Sequence, residues 1–243
     1  MESNKDAYGQ LIWAYFKGNR SSEIVEREDR FFTTSKIGPK GYFSEYNDWP
    51  KYQKKAMKFA KGRVLDVGCG AGRHSLYLQK KGFDAIGIDT SPLAIKVCKL
   101  RGLRNAERMS IIEVNKFKPN SFDTIIMLGN NFGLFGNFKG AKKILGKFYR
   151  ITSPGSMIIA ESTDPYKTDN SFHLEYQKFN RKRGKMSGQL KIRIIFEKYI
   201  GNWFEYLLVS KEEMKEILKG TGWRVKKFVD SSESQYIAII EKK

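Results

Sequence analysis

The chain has 243 residues, 40% of them hydrophobic and 14% aromatic, which excludes a disordered polymer and allows one α/β domain with an insertion or two small domains. Lys and Arg outnumber Asp and Glu by 45 to 26, a net charge of +19, a balance that fits a Lys-rich soluble surface or a polyanionic partner. No apolar run approaches the ~20 residues that span a bilayer, and the N-terminus lacks a basic stretch followed by an apolar one, so no membrane association and no signal peptide are expected.

The first sixty residues hold an aromatic-rich segment, "YGQLIWAYFKG", and a predicted helix, "DWPKYQKKAMKFAKG", with Asp48 near its cap and Pro50 in its first turn. The stretch between them, "SSEIVEREDRFFTTSKIGPKGYF", carries no clear period. From Arg63 strand and helix signals alternate. "RVLDVG" is a short apolar run ending at glycine, and "RHSLYLQKKG" has helical spacing and stops at Gly82. "DAIGID" is a second strand. "SPLAIKVCKLRG" opens with Ser91 as N-cap and Pro92 at the first helical position, and closes at Gly102. "SIIEV" reads as a third strand and "FDTIIML" as a fourth. "FKGAKKILGKFYRI" is a helix, "TSPG" a turn and "SMIIAES" a fifth strand. This alternation implies βαβ units and a parallel sheet.

The rhythm breaks over 164–205. "QLKIRIIFEKYIGNWFEYLLV" reads as two long strands joined at "IGN", a β-hairpin. A helix follows at "KEEMKEILKG", with Ser210 and Glu213 at capping-box spacing and Gly220 as its stop. "WRVKKFV" and "QYIAIIE" end the chain as two more strands. Two cysteines, Cys69 and Cys98, lack a CxxC partner, which argues against a metal site or a disulfide framework and for a reducing, cytoplasmic compartment.

The stretch 63–78, "RVLDVGCGAGRHSLYL", places Gly68, Gly70 and Gly72 at alternate positions. Glycines between a strand and a helix let the backbone bend tightly and approach a ligand, while the helix N-terminus offers free N–H groups. The dinucleotide fingerprint G-x-G-x-x-G is not met, since the third glycine falls one residue early, and no phosphate-binding G-x-x-x-x-G-K-[ST] run is present. The pattern D-x-G-x-G-x-G over Asp66–Gly72 resembles the first motif of class I S-adenosylmethionine-dependent methyltransferases. Asp89 ends the next apolar run, 23 residues after Asp66, where that family carries an acid that accepts the two ribose hydroxyls. "FDTIIMLGNNFG" and "LGKFYRITSPGSMIIAES" are similar to the family's fourth strand and loop, and to its helix, Pro-Gly turn and fifth strand. The resemblance covers 60–162, and 206–243 by pattern.

It implies a Rossmann-like, mostly parallel seven-stranded sheet with helices on both faces, the last strand antiparallel, and a hairpin insertion after the fifth strand. It implies S-adenosylmethionine as cofactor, with Asp66, Gly68, Gly70, Gly72, Asp89, Thr90, Ser110, Leu128 and Asn131 as candidate contacts. The acid often found after the third strand is missing, since Ile111 and Ile112 stand there between Ser110 and Glu113. The expected organisation is an N-terminal cap over 1–55, a cofactor-binding domain over 56–163 and 206–243, and a cover segment over 164–205. The fourth-strand loop "GNNFG" has an amide and an aromatic but no prolines, unlike enzymes that methylate exocyclic or amide nitrogens, and no paired-glutamate loop is present. A small-molecule acceptor is therefore expected, with Tyr8, Trp13 and Tyr15 over the site. Tyr15 and His173 are the candidate catalytic residues, histidine being the natural base near neutral pH. The rival partner is RNA, because residues 178–198 carry eight Lys or Arg and one acid, interleaved with aromatics.

Overall fold

The computed structural model describes residues 5–34 and 38–243. The N-terminal cap expected over 1–55 therefore includes positions 1–4 and 35–37, which lie outside the described residues. Helix α1 spans Ala7–Phe16, with Asp6 at its N-cap accepting the Gly9 N–H. Strands β1 (Ile24–Arg27) and β2 (Phe32–Thr34) follow, then a short helix α2 (Lys40–Phe43), a 3-10 turn at Tyr46–Asp48 and helix α3 (Lys51–Met57).

The expected alternation then appears. Its elements are β3 (Val64–Val67), α4 (Arg73–Lys80), β4 (Ala85–Asp89), α5 (Pro92–Leu100), β5 (Asn105–Arg108), β6 (Phe122–Met127), α6 (Phe138–Ile151) and β7 (Thr152–Thr163). Helix α7 (Ser171–Lys182) opens the insertion, and β8 (Gln189–Phe196), β9 (Tyr199–Ile200) and β10 (Phe204–Leu207) complete it. The chain ends with α8 (Lys211–Leu218), β11 (Trp223–Asp230) and β12 (Gln235–Lys242). Ser210 and Glu213 form the capping box of α8, and Ser91 caps α5, both as the sequence spacing predicts.

Seven strands form one sheet in the order β11-β12-β7-β6-β3-β4-β5. The β4–β5 and β6–β7 pairs are parallel, and β12 runs antiparallel to both β7 and β11. Every residue of β3 and β4 is buried, which is why these strands read as mostly apolar runs, interrupted at Asp66 and ending at Asp89, rather than as alternating ones. The strand order reverses at β3, and open α/β sheets bind ligands outside the carboxyl ends at such a reversal. The other sheet runs β10-β8-β1-β2, with β9 paired to β8.

Four expectations need correction. The third strand is "NAER" at Asn105–Arg108, not "SIIEV"; as the sheet's edge it buries Ala106 alone, while Ile111 and Ile112 lie in a 3-10 segment that buries only Val114. The insertion hairpin reverses at Glu197–Lys198, with Phe196 opposite Tyr199 and Glu197 left-handed at φ 51°, just ahead of "IGN". The insertion also holds a helix, α7, capped by Asn170, in addition to the expected hairpin. "TSPG" lies within β7 rather than ahead of it, as a register shift between the Phe122↔Thr152 and Thr124↔Met157 pairs.

Two compact units make up the chain. One comprises Met1–Trp49, Leu65–Ile111 and Lys191–Phe204, the other Pro50–Val64, Ile112–Leu190 and Glu205–Lys243. In the first, α1 packs Ala7 and Leu11 against Phe196 of the hairpin, and Ile12 against Ala71, Ala94 and Val97. In the second, β7 and β12 form the centre, with Ile158, Ile159, Ala160 and the run Ile237–Ile240 fully buried.

Candidate functional site

The glycine loop lies at the carboxyl end of β3. Gly68, Gly70 and Gly72 all adopt left-handed backbone, at φ 73°, 55° and 81°, a conformation that side chains disfavour. The N–H groups of Gly68 and Cys69 both bond the Ile88 carbonyl on β4, at 2.9 and 3.0 Å, and Gly72 opens α4. A Cβ on Gly70 would stand 2.5 Å from the Tyr8 hydroxyl. The loop thus turns through three left-handed residues, and α1 packs the Tyr8 phenol directly against it at Gly70.

Two buried aspartates support the loop. Asp66 accepts the Ser75 hydroxyl of α4 at 2.6 Å, and burial raises its pKa to about 6 against the opposing pull of Ser75 and Arg73. Asp66 therefore ties strand to helix beneath the loop. Asp89 accepts the Gly70 N–H on Oδ2 at 3.0 Å and the Ser91 N–H on Oδ1 at 2.9 Å. Burial also raises its pKa to about 6, with the backbone hydrogen bonds opposing and Asp6 adding repulsion. Each Asp89 oxygen keeps acceptor capacity beyond its backbone bonds. Tyr8 is pushed well above the ordinary phenol range, first by burial and then by Tyr42 and Asp89.

A third aspartate was not singled out in the sequence. Asp6 caps α1 and accepts the Ser91 hydroxyl at 2.8 Å, while the same Ser91 oxygen accepts the Ala94 N–H at 3.0 Å. The signal for Asp6 was its place as an N-cap ahead of the aromatic helix. His74 sits buried behind the loop and accepts the Arg73 Nε–H at 2.9 Å; burial and the Arg73 charge hold it well below the ordinary histidine range, hence neutral. Cys69 and Cys98 have sulfurs 3.9 Å apart, and the Cys98 thiol donates to the Gly70 carbonyl at 3.0 Å.

In this unit the structure brings together Asp66, the three glycines and Asp89. Thr90 follows as an exposed residue, and Ser110 is half-buried just beyond β5. Tyr15 is not among them: its ring packs on Phe43 at 4.8 Å, with the Arg20 guanidinium 4.3 Å from its centre. Trp13 turns to Lys96 on α5.

The other unit holds Leu128, Asn131 and His173. Leu128 is buried at the end of β6, next to Met127, which pairs with Ala160; Leu128 is thus level with Glu161 on β7. Glu161 is buried and accepts three neutral donors, the Tyr52 hydroxyl at 2.8 Å, Gln53 Nε2 at 2.9 Å and the Gly129 N–H at 2.8 Å. The loop after β6 is held again by Thr163, which donates to the Asn130 side chain at 2.9 Å, and by the Tyr206 hydroxyl, which donates to the Asn130 carbonyl at 2.6 Å. Glu161 was missed by sequence reasoning, although an acid ending an apolar strand is the signal that marked Asp89. His173, half-buried on α7, has Nδ1 3.2 Å from the Thr168 hydroxyl. Among the described residues no group of three His, Cys, Asp or Glu is placed to hold a metal ion, and no helix is long and apolar enough to cross a membrane.

Residues 65–160 match the family model described as a methyltransferase domain. That stretch, less than half of the chain, is similar to class I methyltransferase domains. Curated relatives of the methyltransferase domain include a glycine/sarcosine N-methyltransferase of Halorhodospira halochloris, 30% identical over 104 residues, which is 41% of this chain and 39% of that protein. Another is a ubiquinone biosynthesis O-methyltransferase of Xanthomonas euvesicatoria pv. vesicatoria, 32% identical over 80 residues, 31% of this chain and 34% of that protein. The chain spans about two fifths or less of the length of the first curated relatives. A solved methyltransferase from Bacteroides fragilis, in complex with S-adenosyl-L-homocysteine, has the same fold, with a TM-score of 0.84 at 23% identity, covering 100% of this chain and 97% of that one.

Proposed function

We propose that the protein is an S-adenosylmethionine-dependent methyltransferase acting on a small-molecule acceptor. The single observation that carries the cofactor reading is the left-handed glycine loop whose Gly70 N–H is bonded to Asp89. A Cβ at Gly70 would collide with the Tyr8 hydroxyl that lies against the loop, and Asp89 has acceptor capacity left for ribose hydroxyls. The bound cofactor supplies a methyl group already activated by its sulfonium.

Gly68, Gly70 and Gly72 would lie along the cofactor, Asp89 and Thr90 at its ribose, and Ser110, Leu128 and Asn131 at the remaining contacts. Asp66 acts on the loop through Ser75. The chain's remaining tasks are alignment and exclusion of water; 1–55 is assigned to the cap, 56–163 and 206–243 to cofactor binding, and 164–205 to covering the acceptor. Tyr15 and His173 are retained as candidate catalytic groups, His173 as base where the acceptor loses a proton. The relatives named for glycine, sarcosine and ubiquinone biosynthesis support a small acceptor, and two buried free thiols suit a reducing cytoplasm.

One observation favours RNA as a second reading. Helix α7 exposes Phe172 and Phe179, and the Arg183 guanidinium lies 3.7 Å from the Phe179 ring centre, a pairing that stacks on bases. The test is transfer of a labelled methyl group from S-adenosylmethionine into a cell extract that is then fractionated. Label in the small-molecule fraction supports the first reading, and label in RNA the second. Failure of S-adenosylhomocysteine to bind in calorimetry rejects both.

A further inference from the structure

One carboxylate in the unit that carries the glycine loop is left incomplete. Glu23 lies just ahead of β1 and is 2% exposed. Its Oε1 accepts the Tyr42 hydroxyl at 3.0 Å. Its Oε2 is buried and meets no donor among the described residues. Burying a carboxylate oxygen without a donor is unfavourable, and such an orphan marks a missing partner.

The surroundings say what the partner is. The Tyr42 ring meets the Tyr8 ring edge-on, 5.3 Å between centres at 87°, and the Tyr8 hydroxyl lies against Gly70. Tyr42 packs both with the cluster of Ile12, Ala71, Ala94 and Val97 and with that of Ala7, Leu11 and Phe196. Glu23, Tyr42, Tyr8 and Gly70 thus form a contiguous run from the orphaned oxygen to the loop. A buried carboxylate bonded to one phenol, with a second phenol ring packed on the first, favours a cation. A metal ion needs several further oxygen or nitrogen ligands, and no group of three acidic, His or Cys residues is gathered among the described residues. An ammonium group needs one carboxylate, a hydroxyl and an aromatic wall, all of which are present.

We propose that Glu23, Tyr42 and Tyr8 form a binding site for an alkylammonium group next to the nucleotide loop. This rests on the cofactor reading, and two sources carry that chemistry: the amino-acid end of the cofactor, or an amine acceptor.

The test is calorimetry on the intact protein and its Glu23→Gln variant. The probes are S-adenosylhomocysteine, 5′-methylthioadenosine, which lacks the amino-acid end, and glycine added to protein saturated with methylthioadenosine. A loss of about tenfold or more for S-adenosylhomocysteine, with methylthioadenosine changed less than about threefold, assigns the site to the cofactor's ammonium. Unchanged S-adenosylhomocysteine with glycine binding abolished assigns it to the acceptor. A variant that alters no probe, or weakens both nucleosides equally, overturns the proposal. Parent protein that binds neither nucleoside rejects the cofactor reading instead, and glycine binding by the unliganded parent, lost in Glu23→Gln, then decides the site alone. Tyr42→Phe keeps the ring and removes the hydroxyl; the same selective loss is expected, which keeps the test valid should Glu23→Gln fold poorly.

Discussion

Replacing Asp89 by Asn separates what the carboxylate does for the fold from what it does for a ligand. Both oxygens accept backbone N–H groups, Gly70 at 3.0 Å and Ser91 at 2.9 Å. Burial outweighs these bonds and lifts the pKa from 3.8 to about 6. At about 1.4 kcal/mol per tenfold change, holding the group ionised at neutral pH disfavours the folded state by ~3 kcal/mol relative to the protonated acid. Asn has no charge and escapes that penalty. One of the two N–H groups then faces an amide NH2 instead of an acceptor, a loss of ~1–3 kcal/mol. The two effects nearly cancel, so urea denaturation should place Asp89→Asn within ~2 kcal/mol of the parent. Affinity for S-adenosylhomocysteine should nevertheless fall at least about tenfold, because hydrogen bonds from ribose hydroxyls to a charged acceptor are worth ~1.5–3 kcal/mol each. Calorimetry showing affinity within about twofold of the parent refutes the placement of ribose on Asp89. Destabilisation beyond ~4 kcal/mol refutes the claim that burial outweighs the hydrogen bonds.

Three further outcomes are expected. Asp66 and Asp89 both have folded-state pKa values raised to about 6, so the stability they contribute is fully present below about pH 4 and is lost as pH rises through 6; denaturation of parent and Asp66→Asn across this window should show a shallower decline in the variant. Gly70→Ala should abolish S-adenosylhomocysteine binding, since the residue is left-handed and its Cβ would stand 2.5 Å from the Tyr8 hydroxyl; adding Tyr8→Phe should restore part of the lost stability, the part due to the clash, in a double-mutant cycle. Gly133→Ala puts a Cβ 2.3 Å from the Tyr206 ring and should destabilise the protein by ~1–3 kcal/mol in thermal or urea unfolding.

The sequence was most legible where strands are buried on both faces. β3, β4 and β6 stand out because few polar residues interrupt them, and the glycines and Asp89 sit at their ends, where local pattern and ligand chemistry coincide. Legibility failed at the edges. β5 buries one residue of four, so its pattern carries no hydrophobic signal, and the neighbouring "SIIEV" imitates a strand. β1 and β2 were unreadable because their partner, β8, lies far along the chain: Ile24 pairs with Ile195. Helix α7 turns Tyr176, Gln177 and Asn180 inward, and two polar residues among three blur its amphipathic period. The supporting carboxylates escaped notice for a related reason. Glu161 is defined by Tyr52, Gln53 and Gly129, and Asp6 by Ser91, and no spacing rule links residues so distant in the chain.

The double duty of Ser91 couples two events that look separate. Its hydroxyl joins the Asp6 cap of α1, and its N–H holds Asp89. Seating of the N-terminal helix and order at the ribose acid therefore share one residue. Such linkage is reciprocal: a nucleoside that steadies Asp89 also holds α1 down, and release of α1 weakens the nucleoside by the same factor. The helix becomes a built-in gauge of occupancy. Deuterium uptake along Ala7–Phe16 should slow as ligand is added, with the same midpoint as binding, and any macromolecule that pulls on α1 would loosen the nucleoside without touching its pocket.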